Sequence, residues 1–125
     1  MSTRSTIAIK TNNGVDIIYC HFDGYLQHHL PILRKHYNTT ESVKELIALG
    51  NLSSLDESAH CPKGHTFNNP VEGYCVAYGR DRDESGQEAK HYATWADALE
   101  EQKEEYNYIF TENGWLCDRI DPTEV

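Results

Sequence analysis

The stretch that decides the fold is TIAIKTNNGVDIIYCHF, residues Thr6–Phe22. Apolar, β-branched and aromatic residues fill both of its halves, and the pair Asn13-Gly14 lies between them. Asn-Gly accepts the positive φ angles of a type I′ turn, whose twist suits a two-residue β-hairpin. The stretch therefore predicts a hairpin in which Thr6–Lys10 pairs with Val15–Phe22.

A second Asn-Gly pair occurs further along the chain, at Asn113-Gly114. It predicts another hairpin of the same kind, between Tyr106–Thr111 and Trp115–Arg119. Tyr74–Tyr78 has the composition of a central strand, and the charged segment that follows it is interpreted as a loop. We expect these strands to form one antiparallel sheet.

Three segments place apolar residues at helical spacing. Leu30–Tyr37 carries a proline suited to a first helical turn. Asn38–Gly50 starts with the N-x-x-E pattern of a capping box and ends with a glycine. Thr94–Glu105 opens with T-x-x-D, which also resembles a helix start. The sequence therefore predicts about three helices.

Hairpins mixed with helices predict an α+β fold in the element order β-β-α-α-β-α-β-β. The helices are expected to pack mainly on one face of the antiparallel sheet. A length of 125 residues suits one hydrophobic core, so we interpret residues 1–125 as a single domain.

Acidic side chains outnumber basic ones by 20 to 11, which gives a formal net charge of −9. Proteins that follow nucleic-acid phosphates present basic patches, so direct DNA binding is not expected. No apolar run reaches the roughly 18 residues of a membrane span, and the first residues lack the apolar region of a secretion signal. The four cysteines lie far apart without a C-x-x-C pair, which favours reduced thiols in a cytoplasmic protein.

The segment YCHFDGY, residues Tyr19–Tyr25, concentrates groups that carry chemistry. Strand alternation directs Cys20 and His21 to opposite faces of a sheet. A Cys-His nucleophilic pair needs the imidazole within hydrogen-bond reach of the sulfur, so this pair is not expected to act as one. His21 and Asp23 share a face if the strand extends that far, and the alternative is a small hydrolase that uses His21 as base and Asp23 to orient it.

A zinc site would have to start from Cys61-x-x-x-His65, with His60 beside it. Structural zinc takes four ligands, normally as two close pairs, and no second pair is apparent. We therefore expect neither a metal nor a cofactor. His28 and His29 are interpreted as surface or helix-flank residues.

The segment YGRDRDE, residues Tyr78–Glu84, places two arginines in a polar loop after a strand. Arginine forks grip carboxylates and phosphates, and aromatic rings at the end of the first hairpin offer stacking surfaces. The alternative is a solvated loop whose charges neutralise one another. The predicted ligand-binding residues are Arg4, His21, Phe22, Asp23, Tyr25, Arg80 and Arg82.

The third predicted helix has an acidic face. Such a face is usually only solvated, but it also offers a docking site for a basic protein partner or a mimic of a polyanion. The predicted partner-binding residues are Glu100, Glu101, Glu104 and Glu105.

Taken in order, these segments resemble a family of small proteins encoded by tailed bacteriophages and prophages. Its members carry segments like STRSTIAI, YCHWDGYP, HYN, LIALGDLSSL and YGRDRGE, followed by a closing hairpin with an aromatic residue. The corresponding segments here are Ser2–Ile9, Tyr19–Tyr25, His36–Asn38, Leu46–Leu55, Tyr78–Glu84 and Tyr106–Trp115. This chain has Phe22 where the family has Trp, Leu26 in place of proline, and Asp83 in place of glycine.

The resemblance implies a dispensable phage gene whose product acts in the cytoplasm of the infected host, and it transfers no catalytic residue. We expect a non-enzymatic accessory protein that counters host defence or physiology. It would sequester a nucleotide-like signal or inhibit a host protein by binding it. The alternatives are the small hydrolase above, acting on a nucleotide or nucleic acid, and a virion component. Exposed hairpin edges also allow a homo-oligomer.

Overall fold

A computed structural model describes residues 3–119 of the protein. Within them, a mixed sheet of seven strands and four helices form an α+β fold. The strands are β1 (Ser5–Thr11), β2 (Gly14–Cys20), β3 (Leu52–Ser54), β4 (Val76–Ala77), β5 (Lys90–Tyr92), β6 (Tyr106–Thr111) and β7 (Gly114–Cys117). The helices are α1 (Leu26–His36), α2 (Thr40–Ala48), α3 (Tyr78–Arg82) and α4 (Trp95–Gln102).

Strand order in the sheet is β4-β3-β2-β1-β6-β7, and β5 also pairs with β2. The pairs β1–β2 and β6–β7 are antiparallel, but β1 runs parallel to β6 and β2 runs parallel to β3. The expectation of a purely antiparallel sheet is therefore wrong. The two hairpins lie side by side through their first strands, which places both of their turns at the same end of the sheet.

Each hairpin turn differs from the predicted type I′ form. The turn residues are Asn12 and Asn13 in the first hairpin, with Thr11 paired to Gly14. Neither asparagine has a positive φ angle, whereas Gly14 has φ 140°. The Asn-Gly pair is therefore not the two-residue turn that the sequence predicts, because the glycine already begins the second strand.

Both faces of β1 are covered, since Ser5–Ile9 is buried without interruption. On one face, α1 and α2 pack over a core that includes Ile7, Ile18 and Leu33. On the other face, α4 packs over a smaller core around Ile17. Helices therefore lie on both faces, which corrects the expectation that they pack mainly on one. An inner strand with both faces buried is typical of parallel pairing.

The predicted helices differ from the observed ones at their starts and ends. Helix α1 begins at Leu26, four residues before the predicted start, so that Pro31 lies inside it. Helix α2 is capped by Thr39 and Ser42 instead of the predicted Asn38 and Glu41. Its end is as predicted, because Gly50 follows it with φ 75°.

The region around α3 departs most from the prediction. Tyr74–Tyr78 was expected to be a central strand, but only Val76–Ala77 is extended and it forms one edge of the sheet. The segment expected to be a loop instead forms α3, which ends at Asp83 in the left-handed conformation with φ 56°.

Helix α4 is capped by the Thr94 hydroxyl, which accepts a hydrogen bond from the Asp97 amide, as the T-x-x-D pattern predicts. It ends at Gln102, before the predicted end at Glu105. Within residues 3–119, no helix combines the length and the apolar composition that crossing a membrane requires.

Candidate functional site

The end of β2 directs its thiol and its imidazole to opposite faces of the sheet. Ile18 and Cys20 face the larger core, under α1 and α2, and Cys20 is fully buried. Tyr19 lies on the other face, where its hydroxyl is hydrogen-bonded to Nδ1 of His21 at 2.6 Å. The Cys20 thiol and the His21 imidazole therefore lie on opposite sides of the sheet, as the alternation predicts.

The Cys20 thiol is kept in its neutral form. Burial raises its pKa to about 12, and the nearby Cys75 adds to the shift. Its sulfur donates a weak hydrogen bond to the Phe22 carbonyl at 3.6 Å. A thiol with these properties acts as a small apolar side chain and not as a nucleophile at neutral pH.

A buried Ser-His pair lies beside it, which the sequence reading missed. Ser5 Oγ and His29 Nε2 share a hydrogen bond of 3.0 Å, and both side chains are fully buried. Burial lowers the pKa of His29 to about 3, and the neighbouring His28 contributes to this shift. The neutral ring ties α1 to β1 but is closed to a substrate.

Gly24 covers this pair. A Cβ atom at this position would lie 2.6 Å from the Ser5 Cβ, so only glycine fits here. The preceding Asp23 is left-handed with φ 59°, and Tyr108 donates a 2.6 Å hydrogen bond to the Gly24 carbonyl. The Asp-Gly pair therefore lets the chain turn directly over the buried serine.

The turn presents two aromatic rings to solvent. Phe22 is 44% exposed and Tyr25 is 37% exposed, and they are the exposed large hydrophobic residues of the part of the chain described. Phe22 contacts the His21 ring edge-on, with ring centroids 4.5 Å apart. Tyr25 contacts the ring of His28, with centroids 6.0 Å apart. We call Tyr19, His21, Phe22 and Tyr25 the aromatic surface.

Charged groups surround one part of this surface. The pKa of Tyr19 is raised mainly by burial, and Arg4 opposes the shift while Glu104 and Tyr78 add to it. These three side chains therefore lie around the Tyr19 phenol. By continuing the β1–β2 register, Arg4 lies across from His21. The structure thus brings the predicted residues Arg4, His21 and Phe22 together.

His21 and Asp23 do not form the predicted base and orienting pair. The Nδ1 atom of His21 is bonded to Tyr19, and no hydrogen bond joins it to Asp23 in the described part of the chain. The left-handed backbone at Asp23 takes this residue out of the strand, because β2 ends at Cys20.

Arg80 is committed to internal contacts. Its guanidinium donates to the carbonyls of Ala59 and Cys75, at 2.6 and 3.1 Å, and to both Asp81 oxygens, at 2.9 and 3.1 Å. It therefore holds the long connection 55–75 against α3 instead of facing a ligand. These contacts give Arg80 a structural role, and its role in ligand binding stays a prediction.

Asp81 is the buried acceptor for the Arg80 guanidinium. Its carboxylate is almost completely buried and also accepts the Ala77 amide at 2.8 Å. Burial opposes ionisation, but hydrogen bonds from Arg80 and Ala77 outweigh it and lower the Asp81 pKa. The ring of His65 lies 3.4 Å from this carboxylate.

Both nitrogens of His65 are used inside the protein. Nε2 lies 3.1 Å from the Cys75 carbonyl, and Nδ1 accepts the Val71 amide at 2.9 Å. The Cys61-x-x-x-His65 pair therefore offers only the sulfur, since the imidazole is already occupied. Between residues 3 and 119, no three His, Cys, Asp or Glu side chains are grouped closely enough to hold a metal ion.

Arg82 lies on the surface of α3. Its guanidinium stacks on the rings of Phe67 and Tyr78, 4.4 and 4.9 Å from their centroids, and forms an ion pair with Glu84. The Arg82 guanidinium is therefore engaged by two rings and a carboxylate of its own region.

The acidic residues do not form one helical face. Glu100 and Glu101 belong to α4, whereas Glu104 and Glu105 lie in the segment between α4 and β6. Glu101 accepts a 2.9 Å hydrogen bond from the Tyr92 hydroxyl. The predicted partner-binding set is therefore divided between two elements.

Two recesses, of about 400 and 820 Å³, lie at the opposite end of the sheet, beside the hairpin turns and α2. None of the residues predicted as site residues lines either recess. No family model matches the chain, and neither a curated protein nor a solved structure matches it.

Proposed function

We propose that this protein is a non-enzymatic phage accessory protein that acts in the host cytoplasm by binding a host component through the aromatic surface. The observation that carries the proposal is the position of the exposed rings. Phe22 and Tyr25 flank the Asp23-Gly24 turn, which packs closely on Ser5 and leaves both rings exposed to solvent. Exposed aromatic rings are the usual anchors of protein interfaces, because they bury much apolar area with few rotatable bonds.

A host protein suits this surface better than a small ligand. The two recesses of about 400 and 820 Å³ lie at the other end of the sheet, and neither is lined by a residue of the aromatic surface. Arg80, one of the predicted phosphate contacts, already donates hydrogen bonds to Ala59, Cys75 and Asp81. The proposed activity is therefore stoichiometric inhibition of a host protein by docking.

Sequestration of a nucleotide-like signal is the second candidate, and Arg4 favours it. Arg4 is exposed beside the aromatic surface, and its side chain forms no hydrogen bond or ion pair with residues 3–119. A base stacked on Phe22 could place a phosphate near this guanidinium.

The chemistry of the buried groups supports binding over catalysis. Cys20 is a buried neutral thiol, the Ser5–His29 pair is enclosed, and His21 is bonded to Tyr19. A hydrolase that used His21 would have to break this last contact before it could take a proton from a substrate. A virion role would require the protein to be present in purified particles.

The phage assignment is supported by two backbone positions. Asp83, where the resembled family carries glycine, has a left-handed φ of 56°, which glycine adopts without strain and aspartate tolerates. Gly24, which the family shares in its DG pair, has no room for a Cβ atom. The resembled motif thus has glycine at one position that requires it and at one position whose left-handed backbone favours it.

Quantitative affinity capture from infected host lysate tests the proposal. Phe22→Ser with Tyr25→Ser should reduce recovery of a stoichiometric host protein at least about tenfold, the effect of losing one interface anchor. The matched variant Glu100→Lys with Glu101→Lys, on α4, should leave recovery unchanged. Equal recovery with both double variants, or loss only with the α4 variant, would contradict docking through the aromatic surface.

The same preparation separates the other candidates. Mass spectrometry after denaturation would release an intact small molecule if the protein sequesters a signal, and Arg4→Glu should then abolish its recovery. Incubation of the protein with cyclic nucleotides and RNA would yield converted products if it is a hydrolase. Either result would replace the proposed protein partner.

A further inference from the structure

Asn13-Gly14 and Asn113-Gly114 are the two places in the sequence where glycine follows asparagine. The side-chain amide of an asparagine can be attacked by the backbone nitrogen of the next residue, and glycine hinders this attack least because it has no side chain. Such pairs are therefore the positions at which a chain most readily loses ammonia in water. The fold decides whether either pair can react.

The two hairpin turns that contain these pairs are built alike. In the first turn, the Thr11 hydroxyl donates to the Gly14 carbonyl and accepts the Asn13 amide, each at 3.2 Å. Thr111 makes the same two bonds across the second turn, again at 3.2 Å. Both asparagines are exposed, and both glycines are half-buried. A difference in reactivity between the pairs must therefore come from what packs on them.

Strand β5 covers the first pair, because it joins β2 directly after the turn. The Tyr92 carbonyl lies so close to Gly14 that a Cβ atom there would collide with it, and the Ala93 carbonyl would lie 3.0 Å away. Nε2 of His91 donates a hydrogen bond to the Asn13 carbonyl at 3.2 Å. Both halves of this peptide bond are therefore held by β5 and the residue after it.

The second pair has no such cover. Strand β7 is the last strand of the sheet, and within residues 3–119 it pairs only with β6. Apart from its chain neighbours, a Cβ atom built on Gly114 would meet no atom within 4 Å. The described residues form no hydrogen bond to the Asn113 carbonyl. This peptide can therefore rotate toward its own side chain without displacing another part of the fold.

We propose that Asn113 is a site of spontaneous deamidation and isomerisation, whereas Asn13 is protected by β5. The Gly114 nitrogen loses its proton to solvent and bonds to Cγ of Asn113, and the Cγ–Nδ2 bond breaks to release ammonia. Water then opens the cyclic succinimide. Cleavage between the nitrogen and Cγ gives aspartate, and cleavage between the nitrogen and the main-chain carbonyl carbon gives isoaspartate. Water is the only co-reactant, so the reaction is independent of any partner at the aromatic surface.

The isoaspartyl form lengthens the main chain of the turn by a methylene group and adds a carboxylate next to Glu112. Both changes act on the β6–β7 hairpin, whose outer strand is held by pairing with β6 and by Trp115, which donates from Nε1 to the Tyr37 carbonyl at 2.8 Å. Amides of 114–117 should therefore exchange faster in the modified protein. Asn113→Asp carries the same charge on an unchanged backbone, and its exchange rates should stay close to those of the wild type.

Incubation of the purified protein near neutral pH, followed by peptide mass spectrometry, tests the proposal. Electron-transfer fragmentation distinguishes isoaspartate from aspartate in the peptide that contains each pair. In the native protein, Asn113 should deamidate at least about tenfold faster than Asn13, because the contacts of β5 raise the barrier at the first pair. In guanidinium chloride these contacts are lost, so the two rates should agree within about twofold.

Two matched variants locate the reaction. Asn113→Gln should abolish it over the same period, because the longer side chain does not place its amide carbon for the same ring. Asn13→Gln, the equivalent change in the first turn, should leave the rate at Asn113 unchanged. Both positions are exposed, so the variants should fold, and the amide spectrum verifies this.

Three outcomes would overturn the proposal. The two pairs could react at equal rates in the native protein, which would show that β5 gives no protection. Asn113 could stay intact in the native protein while the unfolded chain reacts, which would show that the turn itself prevents the attack. An asparagine that is not followed by glycine could react before Asn113, which would assign the reactivity to another feature of the fold.

Discussion

Cys20 and His21 are neighbours in the chain but serve opposite faces of the sheet. The sulfur of Cys20 is buried under α1 and α2, whereas the His21 ring is bonded to the Tyr19 hydroxyl at 2.6 Å on the other face. Burial on its own face of the sheet raises the pKa of Cys20 to about 12, so the thiol stays neutral. The separation of the two side chains leaves the aromatic rings at the β2 end free to serve as a binding surface.

Thiol labelling checks this arrangement. Only Cys61 is exposed among the four cysteines, and burial raises the pKa of each of the other three. A disulfide reagent at pH 7.5 should therefore modify one thiol quickly in the native protein and four in denaturant. Cys61→Ser should remove the fast phase. A second fast thiol that disappears in Cys20→Ser would contradict the buried, neutral state of Cys20.

Asp81→Asn should cost about 3 kcal/mol of unfolding free energy. The substitution removes a buried carboxylate that accepts hydrogen bonds from Arg80 and the Ala77 amide, and it leaves the Arg80 guanidinium short of its counter-charge. Urea unfolding measures the loss. Asp83→Asn is the matched control, because this exposed residue is left-handed and asparagine adopts that conformation readily.

The Asp81 contribution should also depend on pH. Its folded pKa is lowered, so the stabilisation is complete above the unfolded value near 4 and is lost as pH falls through the folded value. The difference in unfolding free energy between wild type and Asp81→Asn should therefore become smaller below about pH 4. A constant gap across this range would mean that the ionised carboxylate is not the stabilising group.

The sequence predicted the local pairings better than their arrangement. The apolar residues on either side of each turn correctly predict the paired strands. The glycines, however, begin the second strand of each hairpin, and the threonine before each turn donates a hydrogen bond to the glycine carbonyl across it. The parallel contact of β1 with β6 joins residues about 100 positions apart, which no local pattern encodes. One signal was available, because Thr6–Ile9 lacks the polar alternation of a strand with one face in water.

The candidate site shows the same limit. Its aromatic residues were predicted from YCHFDGY, and the structure places Arg4 beside them. The role of Arg80 could not be predicted, because its partners Ala59 and Cys75 lie in an irregular connection. Nor could the burial of His29, which was interpreted as a surface residue, because it depends on α1 starting at Leu26 and packing on Ser5.

His91 should make the attachment of β5 to β2 sensitive to pH. Its Nδ1 atom lies 2.7 Å from the Asp16 carboxylate, and this contact raises the pKa of His91. The stabilisation is therefore complete below the unfolded value of about 6.5 and is lost as pH rises through the folded value. Hydrogen exchange at the amides of 90–92 measures how the stability of the β5–β2 pairing changes with pH.

The amides of β5 should exchange faster at pH 8 than at pH 6 after correction for intrinsic rates. His91→Gln should remove this difference, and Asp16→Asn should remove it to the same extent. The double variant should show no further change, because the two residues act through one contact. A wild-type dependence that survives in either single variant would assign the effect to another group.

His29 should act in the opposite sense. Its folded pKa is lowered by burial to about 3, below the unfolded value of about 6.5, so its neutral form stabilises the protein fully above pH 6.5. This contribution falls as pH decreases from about 6.5 toward 3, because the imidazole is protonated in the unfolded chain but stays neutral in the native protein. Ring carbon shifts in the native protein should show His29 still neutral at pH 5.

Ser5→Ala separates the hydrogen bond from the burial. It leaves His29 Nε2 without a partner and should cost about 1–3 kcal/mol in urea unfolding at pH 7. The native ring should nevertheless remain neutral at pH 5, since burial and not the serine is the main cause of its lowered pKa. Thr66→Ala, an exposed hydroxyl loss in the long connection, is the control and should cost less than about 1 kcal/mol. If His29 became protonated near pH 6 in Ser5→Ala, the serine and not burial would be the main cause of the lowered pKa.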